Sequence, residues 1–409
     1  MLRNRAVVFL STPLTPVDGA LCLSERAHIL TLGLLSERFN DVAVVARCRN
    51  DAVLASAEHV TLEQTGARLA YQLPDFGRGL RPLMSAAALF LSPVRLRALA
   101  DLVAPADILY AEMPSLEGML VWRLARRHRK PYVIEMRGEG PLNPDYLRAR
   151  VGRLSSVLGP MIAKGFDIAR RGAVGGLFVG ELLRERYAPK GAVTAVASSV
   201  RLPPGSPRAP RAFTSSATQF LFVGHLEKIK SVHFIIAALA QLSPDLPPEW
   251  RLDIVGDGPE RAALTLLAQE AGIGGHVRFH GRVPWGDELF SFYQRADLLL
   301  MASLTEGNSR TLLEGMAFAL PAVSTAVGEA SRHLSAAALA PPGARQAFAD
   351  TVRRIALSPA SLRELSAHNA RQVAGYAPDA LRERRALFLD TVLALPRVKW
   401  HRGENGGWQ

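Results

Sequence analysis

Short apolar runs alternate with longer stretches in which apolar positions recur every three or four residues, and this rhythm continues along most of the chain. Ala6–Leu10, Asp41–Arg47, Ala106–Ala111, Tyr132–Met136, Gly175–Val179 and Ala192–Val196 have the length and apolar content of buried strands. Between them the spacing predicts a helix with Ser24 as cap and Ala27, Leu30, Leu34 and Leu35 inward, then helices over Leu116–Arg129 and Glu181–Tyr187. Ser11–Ala20 is predicted as a loop. The second half repeats the pattern, with strands at Gln219–Val223, Arg251–Val255, Val277–His280, Leu298–Met301 and Ala322–Thr325. Helices are predicted from Val232, through Arg345–Ala356 and Ser361–Ala374, and over 376–395. Strand–helix–strand repeats with short turns predict an α/β chain of doubly wound parallel sheets.

The densest chemistry lies in Ala296–Glu329. Leu298–Met301 reads as a strand and is broken at Ser303–Asn308. Asn308 or Ser309 can then cap a helix carrying Leu312, Leu313 and Met316 on one face, and Pro321 bars its continuation. Loops beyond the carboxyl end of such a strand are where doubly wound sheets bind ligands. Glu306 in the loop and Glu314 on the helix stand about two helical turns apart. The N–H groups of Gly307, Asn308 and Ser309 at the helix start can hold an anion or hydroxyl oxygens. Two carboxylates with a row of amides suit a polyhydroxylated, phosphorylated ligand. The plainer alternative pairs Glu314 with Arg310, one turn back on a solvated face.

The stretch Glu306-Gly307-Asn308-Ser309-Arg310-Thr311-Leu312-Leu313-Glu314 resembles the Glu-x7-Glu motif of retaining glycosyltransferase family 4. Ala296-Asp297 before the strand, Gly315-Met316-Ala317 after the second Glu, and Pro321 fit the same pattern. Gly315 replaces the usual Ala, at about 1 kcal/mol in a helix interior, and points to close packing there. The resemblance implies a GT-B fold: two Rossmann-like doubly wound domains facing a central cleft. It further implies that Glu314 holds the ribose hydroxyls, and that Glu306 with the amides of Gly307 to Ser309 holds the donor sugar. Gly224-His225-Leu226-Glu227-Lys228-Ile229-Lys230-Ser231 is similar to the family's Gly-Arg-Leu-x-x-x-Lys-Gly. Lys230 and Gly224 match, and Lys230 would offset the charge of the leaving diphosphate. His225 stands in place of the Arg and Ser231 in place of the second Gly. A histidine supplies such charge only when protonated. Val283, in the loop after Val277–His280, would lie near the nucleobase. Gly256-Asp257-Gly258-Pro259-Glu260 is a tight turn and not a dinucleotide fingerprint, because Arg261 stands where a third glycine belongs.

In the first half the resemblance is weaker. Gly19 would lie against donor diphosphate and acceptor, although only one glycine stands in Asp18-Gly19-Ala20; a plain loop glycine is the alternative. The strand ends carry Glu112 and Glu135-Met136-Arg137-Gly138-Glu139. Arg137-Gly138 stands where family members place a catalytic His, so that role does not transfer. Arg137 and Glu135 become acceptor-side candidates, with a salt bridge at the core edge as the other reading of Arg137. Leu147, Val151, Leu154, Leu158 and Met161 recur at helical spacing beside Arg148, Arg150, Arg153 and Lys164. This predicts either a basic amphipathic helix on an anionic membrane or a domain helix packed on the sheet and broken at Pro160.

Length divides the chain into an N-terminal acceptor-binding domain over 1–205, a nucleotide-sugar-binding domain over 206–375, and a helical segment over 376–409 that crosses back. The Pro-rich Leu202–Arg211 marks the boundary. Cys22 and Cys48 have no metal or redox spacing, which fits a reducing, cytoplasmic compartment. The apolar run after the basic N-terminus is too short for a signal peptide, and Leu83–Leu91 is too short to span a bilayer. Residues 1–205 hold 27 Lys and Arg against 18 Asp and Glu, while the chain as a whole has a net charge of +12. That basic half suits an anionic partner, such as a lipid-linked acceptor or the inner face of a membrane held peripherally. Nucleic acid is set aside because no recognition module is present.

The resulting expectation is a retaining, metal-independent glycosyltransferase. It would move a sugar from a nucleotide-sugar substrate, with no cofactor, to a glycan or lipid-linked acceptor. Catalytic candidates are Lys230, His225 and Glu306; no activated protein nucleophile is visible. The rivals are a glycoside hydrolase using Glu306 and Glu314, a GT-B sugar-nucleotide epimerase, and a non-catalytic sugar-nucleotide or glycan binding protein.

Overall fold

The computed structural model describes residues 2–17, 19–23, 26–49, 60–73, 92–139, 142, 144, 147–148, 152–198 and 200–396. It divides into two compact units, Met1–Ser199 with Arg382–Gln409, and Val200–Leu381.

The first unit runs β1 (Arg3–Phe9), β2 (Thr15–Val17), β3 (Ala20–Leu23), α1 (Arg26–Ser36), β4 (Phe39–Arg47), β5 (Val60–Thr61), β6 (Ala67–Leu73) and α2 (Pro93–Val103). It continues through β7 (Ile108–Met113), α3 (Leu116–His128), β8 (Tyr132–Met136), α4 (Ser155–Arg171), β9 (Gly175–Phe178), α5 (Glu181–Tyr187) and β10 (Val193–Val196). Seven strands form a parallel sheet in the order β10-β9-β8-β7-β1-β4-β6. Val7 is flanked by Ala43 and Leu109 in register, and with Phe9, Val45 and Ala111 it packs against Leu120, Val121 and Leu124 of α3. Parallel sheets are covered on both faces, which is why these strands are unbroken apolar runs. The Ser115 hydroxyl caps α3 by accepting the Gly118 N–H at 2.9 Å.

The second unit runs β11 (Gln219–Val223), α6 (Val232–Leu242), β12 (Arg251–Val255), α7 (Arg261–Glu270), β13 (Val277–Gly281), α8 (Asp287–Arg295), β14 (Leu298–Met301) and α9 (Arg310–Ala317). It closes with β15 (Ala322–Thr325), α10 (Ala330–His333), β16 (Leu339–Ala340), α11 (Arg345–Ala356) and α12 (Pro359–Val373). Its six strands are parallel in the order β13-β12-β11-β14-β15-β16. The order reverses between β11 and β14, which is the switch point where a doubly wound sheet opens a crevice. The last helix, α13 (Pro378–Ala394), joins the first unit from Arg382 onward.

Three differences from the sequence reading have physical causes. The predicted loop Ser11–Ala20 contains β2, which forms an antiparallel three-stranded sheet with β3 and β5. Strand β6 was not foreseen because its apolar run is interrupted by Arg68 and Gln72, which are exposed at a sheet edge where β4 is the one neighbour among the described residues. The helix expected over Tyr146–Lys164 is described from Ser155 and runs unbroken through Pro160. Ser156 and Pro160 are both exposed there, so solvent can satisfy the carbonyl that Pro160 cannot bond. Of the two facings left open for this stripe, packing on the sheet does not hold: Leu154 and Met161 are exposed, and the helix buries Phe166 and Ala169 instead. The predicted cap Ser24, the run Leu83–Leu91 and the residue Val151 lie outside the described residues.

The joint between α13 and the first sheet is ionic. Arg385 is fully buried; its Nη1 donates to Glu135 Oε1 on β8 and to Thr31 Oγ1 on α1, both at 3.0 Å, and its Nη2 donates to the Ala197 carbonyl at 3.1 Å. Removing one partner of a buried pair strands the other charge away from water. Arg385→Ala is therefore expected to cost about 3 kcal/mol or more, read by urea unfolding of the first unit. The isosteric pair Arg385→Met with Glu135→Gln should recover part of that loss; equal costs for the single and double variants would contradict the pairing.

Candidate functional site

At the switch point of the second sheet, two loops meet. The loop after β11 carries Gly224 to Ser231, and the loop after β14 carries Ala302 to Ser309. The Leu304 N–H donates to the Ile229 carbonyl at 2.8 Å, tying one to the other. Lys230 Nζ then reaches Glu306 Oε1, which also accepts from the Ser303 hydroxyl at 2.9 Å. Both partners are only partly exposed, so the cation and carboxylate stand at a half-solvated edge where a ligand can reach them.

Close backbone approach sets the shape of this edge. A Cβ on Gly256 would fall 1.8 Å from the Gly224 carbonyl oxygen, and one on Gly258 would fall 2.4 Å from that of Leu226. On the other side, a Cβ on Gly328 would meet the carbonyl oxygens of Gly307 and Glu306 at 2.2 and 2.4 Å. The Glu329 N–H donates to the Gly307 carbonyl at 2.9 Å in the same turn. Only glycine permits backbone to lie on backbone at these distances. Ser231 holds the position where the family motif has glycine, and it adopts a left-handed backbone at φ 47 while fully buried.

Helix α9 begins at this edge. The Ser309 hydroxyl accepts the Leu312 N–H, making Ser309 the cap. Asn308 is held from α10, where His333 Nε2 hydrogen bonds to Asn308 Oδ1 at 3.2 Å. Burial lowers His333 to about 4, so this ring is neutral at physiological pH. Gly315 sits close over the sheet, since a Cβ there would come 2.8 Å from Leu299 Cδ2 of β14. Glu314 does not lie on a solvated face beside Arg310. Its carboxyl is buried, and Oε2 accepts from the Tyr293 hydroxyl of α8 at 2.9 Å. Burial pushes Glu314 up to about 7, against the opposing pull of Tyr293, Arg310 and Trp285. Trp285 lies in the loop after β13, two positions beyond the half-buried Val283, with the Arg201 guanidinium stacked 3.3 Å from its ring centroid.

His225 pairs with Glu227, not with the carboxylate that Lys230 meets. Its ring is nearly half exposed, and Nε2 stands 3.4 Å from Glu227 Oε1. The structure thus brings together Lys230, Glu306, Gly307, Asn308, Ser309 and Gly224, with Glu314 about one turn into α9. Sequence reasoning missed Tyr293, Trp285, His333 and Gly328, which hold these groups from elsewhere in the chain.

The first unit has its own polar cluster at the carboxyl ends of β1, β7 and β8. Glu112 Oε2 accepts the Ser11 N–H at 2.9 Å and its hydroxyl at 2.6 Å, while Oε1 meets His28 Nε2 and, at 3.1 Å, Arg137 Nη1. Burial would raise Glu112, but His28, Arg137 and Ser11 outweigh it and hold the carboxyl far below the ordinary range. Glu135 is fully buried between Arg385, Tyr110 and, at 3.5 Å, Arg137; burial opposes its ionisation and the two arginines prevail. Arg137 therefore forms the core-edge salt bridge, and its side chain is the more exposed member of the cluster. Gly19 turns the β2–β3 hairpin at φ 82, with open space around it. Among the described residues no group of three or more His, Cys, Asp or Glu is placed to hold a metal ion, and no helix is long and apolar enough to cross a membrane.

Two outcomes test this geometry. Between about pH 4.5 and 7 the folded state binds a proton at Glu314 that the unfolded chain releases, so stability falls as pH rises through that window and levels off above it. Glu314→Gln should remove a pH-dependent loss on the order of 3 kcal/mol; identical pH profiles for the two proteins would contradict it. Ser231→Gly relieves a left-handed side-chain residue and should stabilise the second unit by about 0.5–1 kcal/mol. A lowered melting temperature would speak against strain there.

Residues 208–373 match the family described as glycosyl transferases group 1. The 2-deoxystreptamine glucosyltransferase of Streptomyces kanamyceticus is 32% identical over 142 residues, covering 34% of this chain and 36% of that protein. The lipopolysaccharide core biosynthesis glycosyltransferase LpsE of Rhizobium meliloti is 34% identical over 111 residues, covering 27% of this chain and 30% of its own length. The chain thus spans about a third of the length of these curated relatives. Anabaena HepE, solved with UDP and glucose, superposes with a TM-score of 0.65 at 16% identity, over 96% of this chain and all of the other. The family match is thus confined to the second unit, while the fold of the whole chain is that of the GT-B structures, with two Rossmann-like units.

Proposed function

We propose that this protein is a retaining glycosyltransferase of family 4 type, moving a sugar from a nucleotide-sugar to a glycan or lipid-linked acceptor. The observation that carries the reading is the junction of Lys230 with Glu306 just before α9, with Glu314 buried about one turn into that helix. Glu314 accepts the ribose hydroxyls, and its ionised form is the better acceptor for them. Glu306 and the backbone of Gly307 to Ser309 take the donor sugar, and the diphosphate draws Lys230 toward itself. Gly224 lets the backbone approach the phosphates, and Val283 borders the base. In the transfer step the bond from the anomeric carbon to the phosphate oxygen breaks. The acceptor oxygen bonds to the same face of that carbon, and the acceptor proton passes to the departing phosphate. Lys230 offsets the charge that grows on the diphosphate as the bond opens.

In this reading the first unit holds the acceptor, with Gly19 and Arg137 facing it and Glu135 positioning Arg137. The lipopolysaccharide relative and the basic first half favour an acceptor presented at an anionic membrane surface. A second reading, a sugar-nucleotide binding protein without transfer, draws on one observation. His225, which stands in place of the family's Arg, is paired with Glu227, whereas Lys230 pairs with Glu306.

Calorimetric titration of UDP, GDP and ADP tests the donor site. One of them should bind, and Lys230→Ala should weaken it at least about tenfold. Binding by none, or equal binding by the variant, would refute the donor assignment. Binding without sugar release from the matching nucleotide-sugar, across a panel of polyprenyl-phosphate-linked and glycan acceptors, would favour the second reading.

A further inference from the structure

Helix α4 presents two apolar faces, of which the fold uses one. Phe166 and Ala169 are buried, and Gly165 is pressed toward α3, where a Cβ would come 2.6 Å from Met119 Cε. The other face points outward. Leu154, Val157, Met161 and Ile168 are 51%, 62%, 66% and 44% exposed. At 100° per residue they fall within one narrow sector, a stripe about 21 Å long. Elsewhere among the described residues the large exposed apolar side chains stand singly along the chain.

The charges beside the stripe are one-sided. Arg153 and Lys164 border it, and the sequence from 147 to 171 holds six Lys and Arg against Asp167 alone. Asp167 is already engaged by Arg170 and Arg171, each at 2.5 Å. An apolar stripe with a cationic border matches the layered chemistry of an anionic bilayer surface, where headgroup phosphates lie above acyl chains. The stripe carries no Trp or Tyr, the anchors that dominate protein–protein hot spots.

We propose that the outward face of α4 is a docking surface for an anionic phospholipid membrane, with Leu154, Val157, Met161 and Ile168 entering the acyl boundary and Arg153 and Lys164 meeting the headgroups. This builds on the membrane-presented acceptor proposed above, and it explains why a helix that the fold needs on one side stays apolar on the other.

Vesicle flotation of the full chain tests it, using phosphatidylcholine alone and phosphatidylcholine mixed with phosphatidylglycerol. The wild type should float with the mixed vesicles and lose that association in about 0.5 M NaCl. Val157→Glu with Met161→Glu, and separately Arg153→Glu with Lys164→Glu, should each weaken it at least about tenfold. Nucleotide binding and the melting temperature serve as controls for folding and should stay unchanged. If the wild type floats and both variants float equally well, the face is wrong while the membrane reading survives. If the wild type ignores anionic vesicles, both fall, and the nucleotide titration still decides the donor site. A wild-type dimer in sedimentation velocity that the Glu pair converts to monomer, without vesicle binding, would assign the face to a second copy and overturn the lipid proposal.

Discussion

Backbone lying directly on backbone at the carboxyl edge of the second sheet is the constraint on which the candidate donor site depends. Gly256 against Gly224, Gly258 against Leu226, and Gly328 against Glu306 and Gly307 leave no room for a Cβ. These approaches draw the loops after β11, β12, β14 and β15 into one ledge, on which Lys230 meets Glu306 and α9 begins. Side chains then refine what the backbone has placed: Ser303 on Glu306, His333 on Asn308, Tyr293 on Glu314. The contacts of the ledge are largely main-chain, which suits the proposed task of orienting a charged leaving group.

The first unit solves a different problem with a different interaction. Its strand ends bring two glutamates close together in the interior, which would be untenable without compensating charge. Arg137 stands between Glu112 and Glu135, while Arg385 arrives from the end of the chain to complete Glu135. One buried ion cluster thus fastens the last helix to the sheet and fixes the only partly exposed arginine in it.

Much of this was legible in the sequence where the determinants are contiguous. The strands of both sheets are buried on two faces and announce themselves as apolar runs, and Glu306 to Glu314 fit in a single loop and helix. What could not be read depended on contacts across long separations. Tyr293 lies 21 positions before Glu314, and Glu135 meets Arg385 250 positions later; no local pattern links either pair. Ser231 was visible as a departure from the motif, but the left-handed backbone that makes it costly belongs to three dimensions. The α4 periodicity was visible too, with two facings left open, because apolar residues on both sides of a helix leave the choice of inner face to the neighbours. Strand β6 and the β2–β3 hairpin were missed because edge and antiparallel strands lack the doubly buried signature.

The most direct measurement is a crystal structure of the full chain with the nucleoside diphosphate that binds it. The expected result places the ribose hydroxyls within hydrogen-bond distance of Glu314, and the diphosphate between Lys230 Nζ and the amides that open α9. A nucleotide seated elsewhere, or one seated there with Glu314 still closed on Tyr293 and untouched by ribose, would contradict the assignment of this ledge as the donor site.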